Sequence, residues 1–430
     1  MWRGDEPMSA IDEWVNEPDP ALSQPEATPF PSAIRRPPGR LPHALGAVLG
    51  LEDFEQAARR RLPRFLFGFV QGGVEGNASL AANRTAFAAW CFCPRVLVDT
   101  TRRRQTATLF ASRYAAPFGI APMGGTALSA LEGDLVLARA AAGAKIPFIL
   151  SGASLVKLEA VIAANPAAWF QAYVPGDRSH IGALVERVGR AGYATLVVTV
   201  DVPVHANREN NVRNGFSLPL RPTPRLACDA AAHPRWLFGT ILATLVRNGR
   251  LHFENMAATR GAPVLSPNAE RSLGRRDALS WADLAWLRRL WPGKLLVKGV
   301  LTAEDAHIGR ETGLDGVIVS NHGGRQLDFS IASLAALPAV KSEAGSMAVL
   351  LDSGVRRGTD VLKALALGAD FVFLGRPFLY AAAVGGEVGV RHAISLLSEE
   401  IDRDLAMLGC NSLSELGPDL LARMPNPECA

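Results

Sequence analysis

The 430-residue chain is 48% hydrophobic and 20% charged, a globular composition with enough apolar mass for a large core. Its formal net charge of +4 is spread along the sequence, which excludes a dedicated nucleic-acid binder. Five cysteines (Cys91, Cys93, Cys228, Cys410, Cys429) form no metal-ligand spacing, and the odd count argues against a disulfide framework, so reduced thiols are expected.

Residues 1–45 carry Pro7, Pro18, Pro20, Pro25, Pro29, Pro31, Pro37 and Pro38 among scattered charges, without periodicity. Such a composition buries too little apolar surface to offset chain ordering, and a disordered tail is expected ahead of a folded domain over 46–430. The acidic, proline-rich start lacks a signal peptide's basic and apolar regions, so a cytoplasmic location is expected. A helix is predicted over 51–66, with Leu51, Phe54, Ala57 and Ala58 on one stripe, and another near 79–87.

Short β-type runs then alternate with helical segments. The runs are residues 117–121, 146–150, 169–173, 195–200, 295–298, 316–319, 348–351 and 371–374, and the segments between them include 134–144, 302–312 and 359–367. Near-continuous apolar strands mean a sheet covered on both faces. Eight βα units predict a closed (β/α)8 barrel, a TIM barrel, over an open sheet.

One long insertion, 209–279, follows the fourth strand. It contains an apolar run from Trp236 to Val246, flanked by Arg225, Arg235, Arg247 and Arg250. Too short to cross a bilayer, the 225–250 stretch has two readings: a helix lying in the membrane interface with basic flanks on anionic headgroups, or a surface helix covered at a subunit contact.

Active sites of such barrels form at the carboxyl ends of the strands, so the residues there are the candidates. They are Pro122, Met123 and Gly124; Ser151 and Ala153; Gln171 and Tyr173; Thr199, Asp201 and Arg208; Lys298; Ser320, His322 and Arg325; Asp352, Gly354 and Arg356; Gly375 and Arg376. Arg356, Gly375 and Arg376 follow the last two strands, where barrels hold a phosphate. Lys298 suits a delocalised anion such as a reduced flavin or an enolate. Arg208 and Arg325 can fork onto a carboxylate, His322 is the candidate base, and Asp201 is placed to stabilise its protonated form.

The string Ser320-Asn321-His322-Gly323-Gly324-Arg325-Gln326-Leu327-Asp328 makes the chain resemble the FMN-dependent family that oxidises L-2-hydroxy acids. Trp169 to Tyr173, Val200 to Pro203, Val297 to Gly299 and Asp352 to Asp360 carry the same resemblance, which spans about residues 51–416. It implies FMN as cofactor and a small 2-hydroxy acid as substrate, lactate- or mandelate-like, and frequently a homotetramer. Position by position it implies His322 as base supported by Asp201, Arg325 and Arg208 as carboxylate clamp, and Tyr173 as a hydrogen-bond partner of substrate. Lys298 would face the flavin pyrimidine edge, with Pro122, Met123, Gly124, Ser151, Gln171 and Thr199 around the ring system. Ser320, Asp352 and Gly354 would serve the rest of FMN, and Arg356, Gly375 and Arg376 its phosphate.

Two departures stand out. Phe69 occupies the place where the family usually presents a tyrosine near the substrate carboxylate. Small residues in Ser151-Gly152-Ala153 imply a roomier substrate pocket. Gly124 resembles dehydrogenase-type members, which favours a quinone or cytochrome as electron acceptor over oxygen and its product H2O2. Two other readings are an FMN barrel of different chemistry, of the isopentenyl diphosphate isomerase or dihydroorotate dehydrogenase kind, and a non-catalytic flavin-binding scaffold.

Overall fold

The computed structural model describes residues 33–35, 42–174, 177–217, 219–221, 223–266 and 276–424. Eight parallel strands make its central sheet: β1 (Phe118–Ile120), β2 (Ile149–Ser151), β3 (Trp169–Ala172), β4 (Thr195–Thr199), β5 (Lys294–Val300), β6 (Gly316–Val319), β7 (Ala348–Leu351) and β8 (Phe371–Leu374). From β2 to β8 each strand pairs with its successor in the chain, and β8 pairs with β1. A parallel bridge between Ile120 and Phe148 closes the ring, giving the expected (β/α)8 barrel.

Every residue of β2, β3, β4, β6 and β8 is buried, because side chains face a filled interior on one side and helices on the other. On β4, Val197 points inward to join Ile149, Trp169, Leu296, Ile318 and Phe371, whereas Leu196 and Val198 pack outward against the helical layer.

The amino-terminal end of the barrel is plugged by a hairpin that the sequence pattern does not announce, Ala107–Leu109 paired with Ser112–Tyr114. Its two turn residues, Phe110 and Ala111, both have positive φ (50° and 64°), the conformation that matches strand twist in a two-residue turn. Phe110 packs on Trp169 at 5.8 Å and Tyr114 meets Phe371 edge-on at 5.6 Å, both at the first residues of their strands. Among the described residues the large cavity lies at the carboxyl end of the strands.

Two expectations are corrected in extent, and the helical reading of the insertion's apolar run agrees with the structure. The helix predicted over 51–66 is two helices, Leu51–Arg61 and Arg64–Gln71, because Pro63 forces Leu62 into an extended conformation. Within the predicted tail, Ala33 and Leu45 are buried and the Ile34 N–H donates to Ser398 Oγ at 2.7 Å; the rest of that tail lies outside the described residues, apart from Arg35 and 42–44. The apolar run of the insertion is a continuous helical stretch, Pro234–Trp236, a π-helical Leu237–Leu242 and Ala243–Asn248. Trp236 anchors it by donating from Nε1 to the Leu128 carbonyl at 2.7 Å. Among the described residues no helix is long and apolar enough to cross a membrane.

Candidate active site

The loop after β6 turns sharply at the carboxyl end. His322, Gly323 and Gly324 have φ of 58°, 68° and 71°, three left-handed residues in succession. At Gly324 glycine is obligatory, since a Cβ would stand 2.5 Å from the Leu80 backbone nitrogen. The turn is pinned from outside by a reciprocal amide pair. Asn83 Nδ2 donates to Asn321 Oδ1 at 2.7 Å and Asn321 Nδ2 donates to Asn83 Oδ1 at 3.0 Å, both residues buried. Buried amides paired in this way are rigid, because any rotation leaves a polar group unsatisfied.

This turn aims the imidazole. His322 Nδ1 lies 2.8 Å from Asp201 Oδ1, so Nδ1 carries the proton and Nε2 is left as the basic nitrogen on the cavity side. Burial pulls the His322 pKa below its ordinary value, with Lys298 and Arg208 adding to it and Asp201 opposing. Burial also acts to raise the Asp201 carboxyl, but His322 and Lys298 overcome it and hold the group below the usual carboxylate range. The pair is therefore a neutral imidazole beside a carboxylate, a base ready to accept a proton.

Arginines frame the same cavity. Arg325 Nη1 donates to the carbonyls of Gly72 (2.6 Å) and Val70 (3.2 Å), and its guanidinium lies over the Phe69 ring, 5.2 Å from the centroid. Phe69 in turn stacks on Phe216 at 4.1 Å. Arg208 donates from Nε to the Arg325 carbonyl and from Nη2 to Gln326 Oε1. Arg376 spends all three nitrogens on the carbonyls of Val70, Gly72 and Gly323. Burial and the neighbouring Arg208 and Arg376 cations push the Arg325 pKa well down. Burial, Arg376 and Arg84 likewise lower that of Arg356 to about 10. Like charges buried together without carboxylates mark a place for anions.

The fit of FMN can be tested on groups that lack partners. Gln171 Nε2 and Thr199 Oγ1 are buried at adjacent strand ends with no hydrogen-bond partner. Native interiors rarely tolerate this, so such atoms point to a missing polar ligand. Lys298 Nζ donates to Ser320 Oγ at 2.7 Å and pairs with Asp352 Oδ2 at 3.1 Å. Burial opposes its charge, but Asp352 and Asp201 hold its pKa above the ordinary value, so it stays cationic. Gly375 follows β8 as the N-cap of the helix that starts at Arg376, next to Arg356 and Arg376, and helix amino termini attract phosphate. The cavity measures about 600 Å³, within the range of cofactor and ligand sites. These residues fit FMN.

Most of the predicted residues meet at this cavity, including Phe69, Pro122, Met123, Gly124, Ala153 and Gly354. Ser151, Asp201 and Ser320 stand behind its wall. Ser151 Oγ donates to Gln171 Oε1 at 3.0 Å, and Ser320 Oγ accepts from Lys298 and from the His322 N–H. The two serines thus orient their neighbours at the strand ends. Residues the sequence reading missed are Phe216, the Asn83–Asn321 pair and Arg276, whose guanidinium lies 4.6 Å from the Tyr173 ring centroid.

A profile of the FMN-dependent dehydrogenases matches residues 58–423. The chain is 40% identical over 375 residues to (S)-mandelate dehydrogenase of Pseudomonas putida, covering 87% of this chain and 94% of that protein. It is 39% identical over 376 residues to L-lactate dehydrogenase of Pseudomonas aeruginosa, covering 86% and 97%. Among solved structures, the monotopic membrane protein (S)-mandelate dehydrogenase superposes with a TM-score of 0.83 at 40% identity, over 88% of this chain and 100% of that one. Mandelate oxidase with (S)-2-phenylpropionate superposes with a TM-score of 0.72 at 33% identity, over 88% and 99%.

Proposed function

This chain belongs to the FMN-dependent dehydrogenase family and is an oxidoreductase of 2-hydroxy acids with FMN as cofactor; on that premise we propose that it converts an L-2-hydroxy acid with a side chain longer than methyl to the 2-oxo acid. The observation that carries the reading is the His322–Asp201 pair sharing one cavity with the Arg208 and Arg325 guanidiniums. Arg325 and Arg208 hold the substrate carboxylate, for which forked guanidinium geometry is suited. Burial raises the Tyr173 pKa, so its phenol stays protonated and donates to the substrate. The substrate loses two electrons and two protons, and His322 Nε2 takes one of those protons while Asp201 stabilises the imidazolium. FMN, when bound, would supply the acceptor for the electron pair and the second proton, and Lys298 would stabilise the negative charge that develops there.

An apolar wall supports the longer side chain. Ala153, Leu155, Phe253 and Val264 line the cavity and cluster beside Tyr173. Anaerobic addition of (S)-mandelate and L-lactate to the yellow protein is the test. Flavin bleaching by both, faster with mandelate, is expected; no bleaching by any 2-hydroxy acid overturns the proposal and favours a non-catalytic scaffold.

We extend the proposal to a seat on the cytoplasmic face of the membrane, with a quinone or cytochrome as acceptor. The insertion helix turns Trp236, Thr240 and Thr244 inward and leaves Phe238, Leu242, Leu245 and Val246 exposed, Val246 by 85%. An apolar stripe of this kind beside Arg247 and Arg250 suits an interfacial helix on anionic lipid.

A further inference from the structure

Charges around the cavity are unevenly matched. Six cations line it: Lys298, Arg208, Arg276, Arg325, Arg356 and Arg376. Lys298 has Asp352, and Asp201, the other carboxylate near Lys298 among the described residues, is taken by His322. A cofactor phosphate answers Arg356 and Arg376, and the substrate carboxylate answers Arg208 and Arg325. Arg276 is left over.

The state of Arg276 is unusual for an arginine. Only 8% of it is exposed, and its Nε has no hydrogen-bond partner. Arg325, Arg208 and Arg376 are each held by backbone carbonyls, whereas among the described residues no side-chain hydrogen bond or ion pair engages the Arg276 guanidinium. The guanidinium lies over the face of Tyr173. A buried guanidinium without an anion is costly, and such a group persists where a ligand completes it.

Its position says what the ligand offers. Arg276 lies over the Tyr173 ring, and both line the same cavity as Lys298, Arg208 and His322, so this extra cation borders the catalytic groups. Along the same wall run Leu155, Phe253 and Val264. A cavity that holds a carboxylate clamp, an apolar wall and a separate cation suits a substrate with an acid at each end of an apolar stem.

We propose that Arg276 is a specificity-determining residue that binds a second carboxylate at the far end of the substrate side chain, so that the enzyme prefers 2-hydroxydicarboxylic acids to apolar 2-hydroxy acids of equal size. This rests on the 2-hydroxy acid reading of the site. Charge-assisted pairing of this kind changes binding by about 10- to 100-fold.

The test compares L-2-hydroxyglutarate with its apolar isostere, (S)-2-hydroxy-5-methylhexanoate, on the FMN-loaded enzyme and on Arg276→Met and Arg276→Lys. Wild type should favour the diacid in kcat/KM by about tenfold or more. R276M should lower kcat/KM for the diacid about 10- to 100-fold more than for the isostere, mostly through KM, and R276K should recover part of the difference. Calorimetric Kd values for 2-oxoglutarate and 5-methyl-2-oxohexanoate should show the same dependence on residue 276 without turnover. If wild type turns over the isostere and (S)-mandelate but not the diacid, or if R276M lowers both acids equally, the inference is overturned while the hydroxy acid reading stands. If no 2-hydroxy acid at all reduces the flavin, both fail together.

Discussion

His322 and Asp201 meet at 2.8 Å through Nδ1 and Oδ1, although 121 residues separate them in the chain. Because the carboxylate accepts the Nδ1 proton, the basic lone pair is on Nε2. His322→Gln keeps the shape of the site and removes the base. FMN content should be unchanged, and the rate of flavin reduction by substrate in stopped flow should fall ~10²–10⁴-fold. Normal bleaching in that variant would remove His322 from the mechanism. Asp201→Asn should show a loss of the same order, because an amide can donate to Nδ1 and turn the tautomer around.

The pH profile follows from the same pair. Burial holds the His322 pKa under its ordinary 6.5, so the base stays unprotonated at pH values where a free histidine is already half charged. The kcat/KM profile should therefore stay level from neutral pH down to about 6.5 and break only below it. The stability sign agrees. The unfolded chain binds the proton first as pH falls, so this group's contribution is complete above 6.5 and is lost as pH drops through the lower folded value. An acid limb centred above 6.5 in kcat/KM would contradict the assignment.

Phe69 lies flat against Arg325 and offers it no hydrogen bond. Adding a hydroxyl by Phe69→Tyr places a donor on the cavity side of that ring while keeping the stack on Phe216. The KM for L-lactate, whose binding depends most on its carboxylate, should fall by about 2- to 10-fold. An unchanged KM would mean that the ring edge does not reach the substrate carboxylate.

Gly324 carries two constraints at once, a φ of +71° and a backbone neighbour 2.5 Å from any added Cβ. Gly324→Ala should cost about 3 kcal/mol or more of stability, as strain and overpacking add. Chemical denaturation of the FMN-loaded protein measures this. Activity should drop further than stability, since His322 and Arg325 flank the distorted turn. A variant with wild-type midpoint and turnover would show that the helix beginning at Ala78 yields freely.

The exposed stripe on the insertion helix predicts lipid binding. Phe238→Asp with Val246→Asp should abolish co-sedimentation with anionic phosphatidylserine vesicles, while anaerobic flavin reduction by substrate is kept. If wild type itself ignores the vesicles and those substitutions change oligomeric mass in light scattering, the stripe is a subunit contact.

The eight strands and their end residues were legible in the sequence because the signal is local. A parallel strand buried on both faces reads as an unbroken apolar run, and a polar residue straight after it lies at the carboxyl mouth whatever the remaining fold does. The base, the clamp arginines and the phosphate residues all follow such runs. The hairpin over residues 107–114 was not legible, since Phe110 and Ala111 carry no turn signature and their left-handed conformation is imposed by packing on Trp169. Side-chain partners were equally hidden: nothing along the chain tells that Ser151 Oγ donates to Gln171 or that Ser320 Oγ accepts from Lys298. Arg276 comes from an insertion without periodicity and reaches Tyr173 across 103 residues of chain. Sequence alone determined the strand repeat and the chemistry at each strand end, because periodicity and residue type are properties of neighbours along the chain. Barrel closure decided which of those groups face one another, because only the folded ring brings distant strand ends within hydrogen-bonding and charge range.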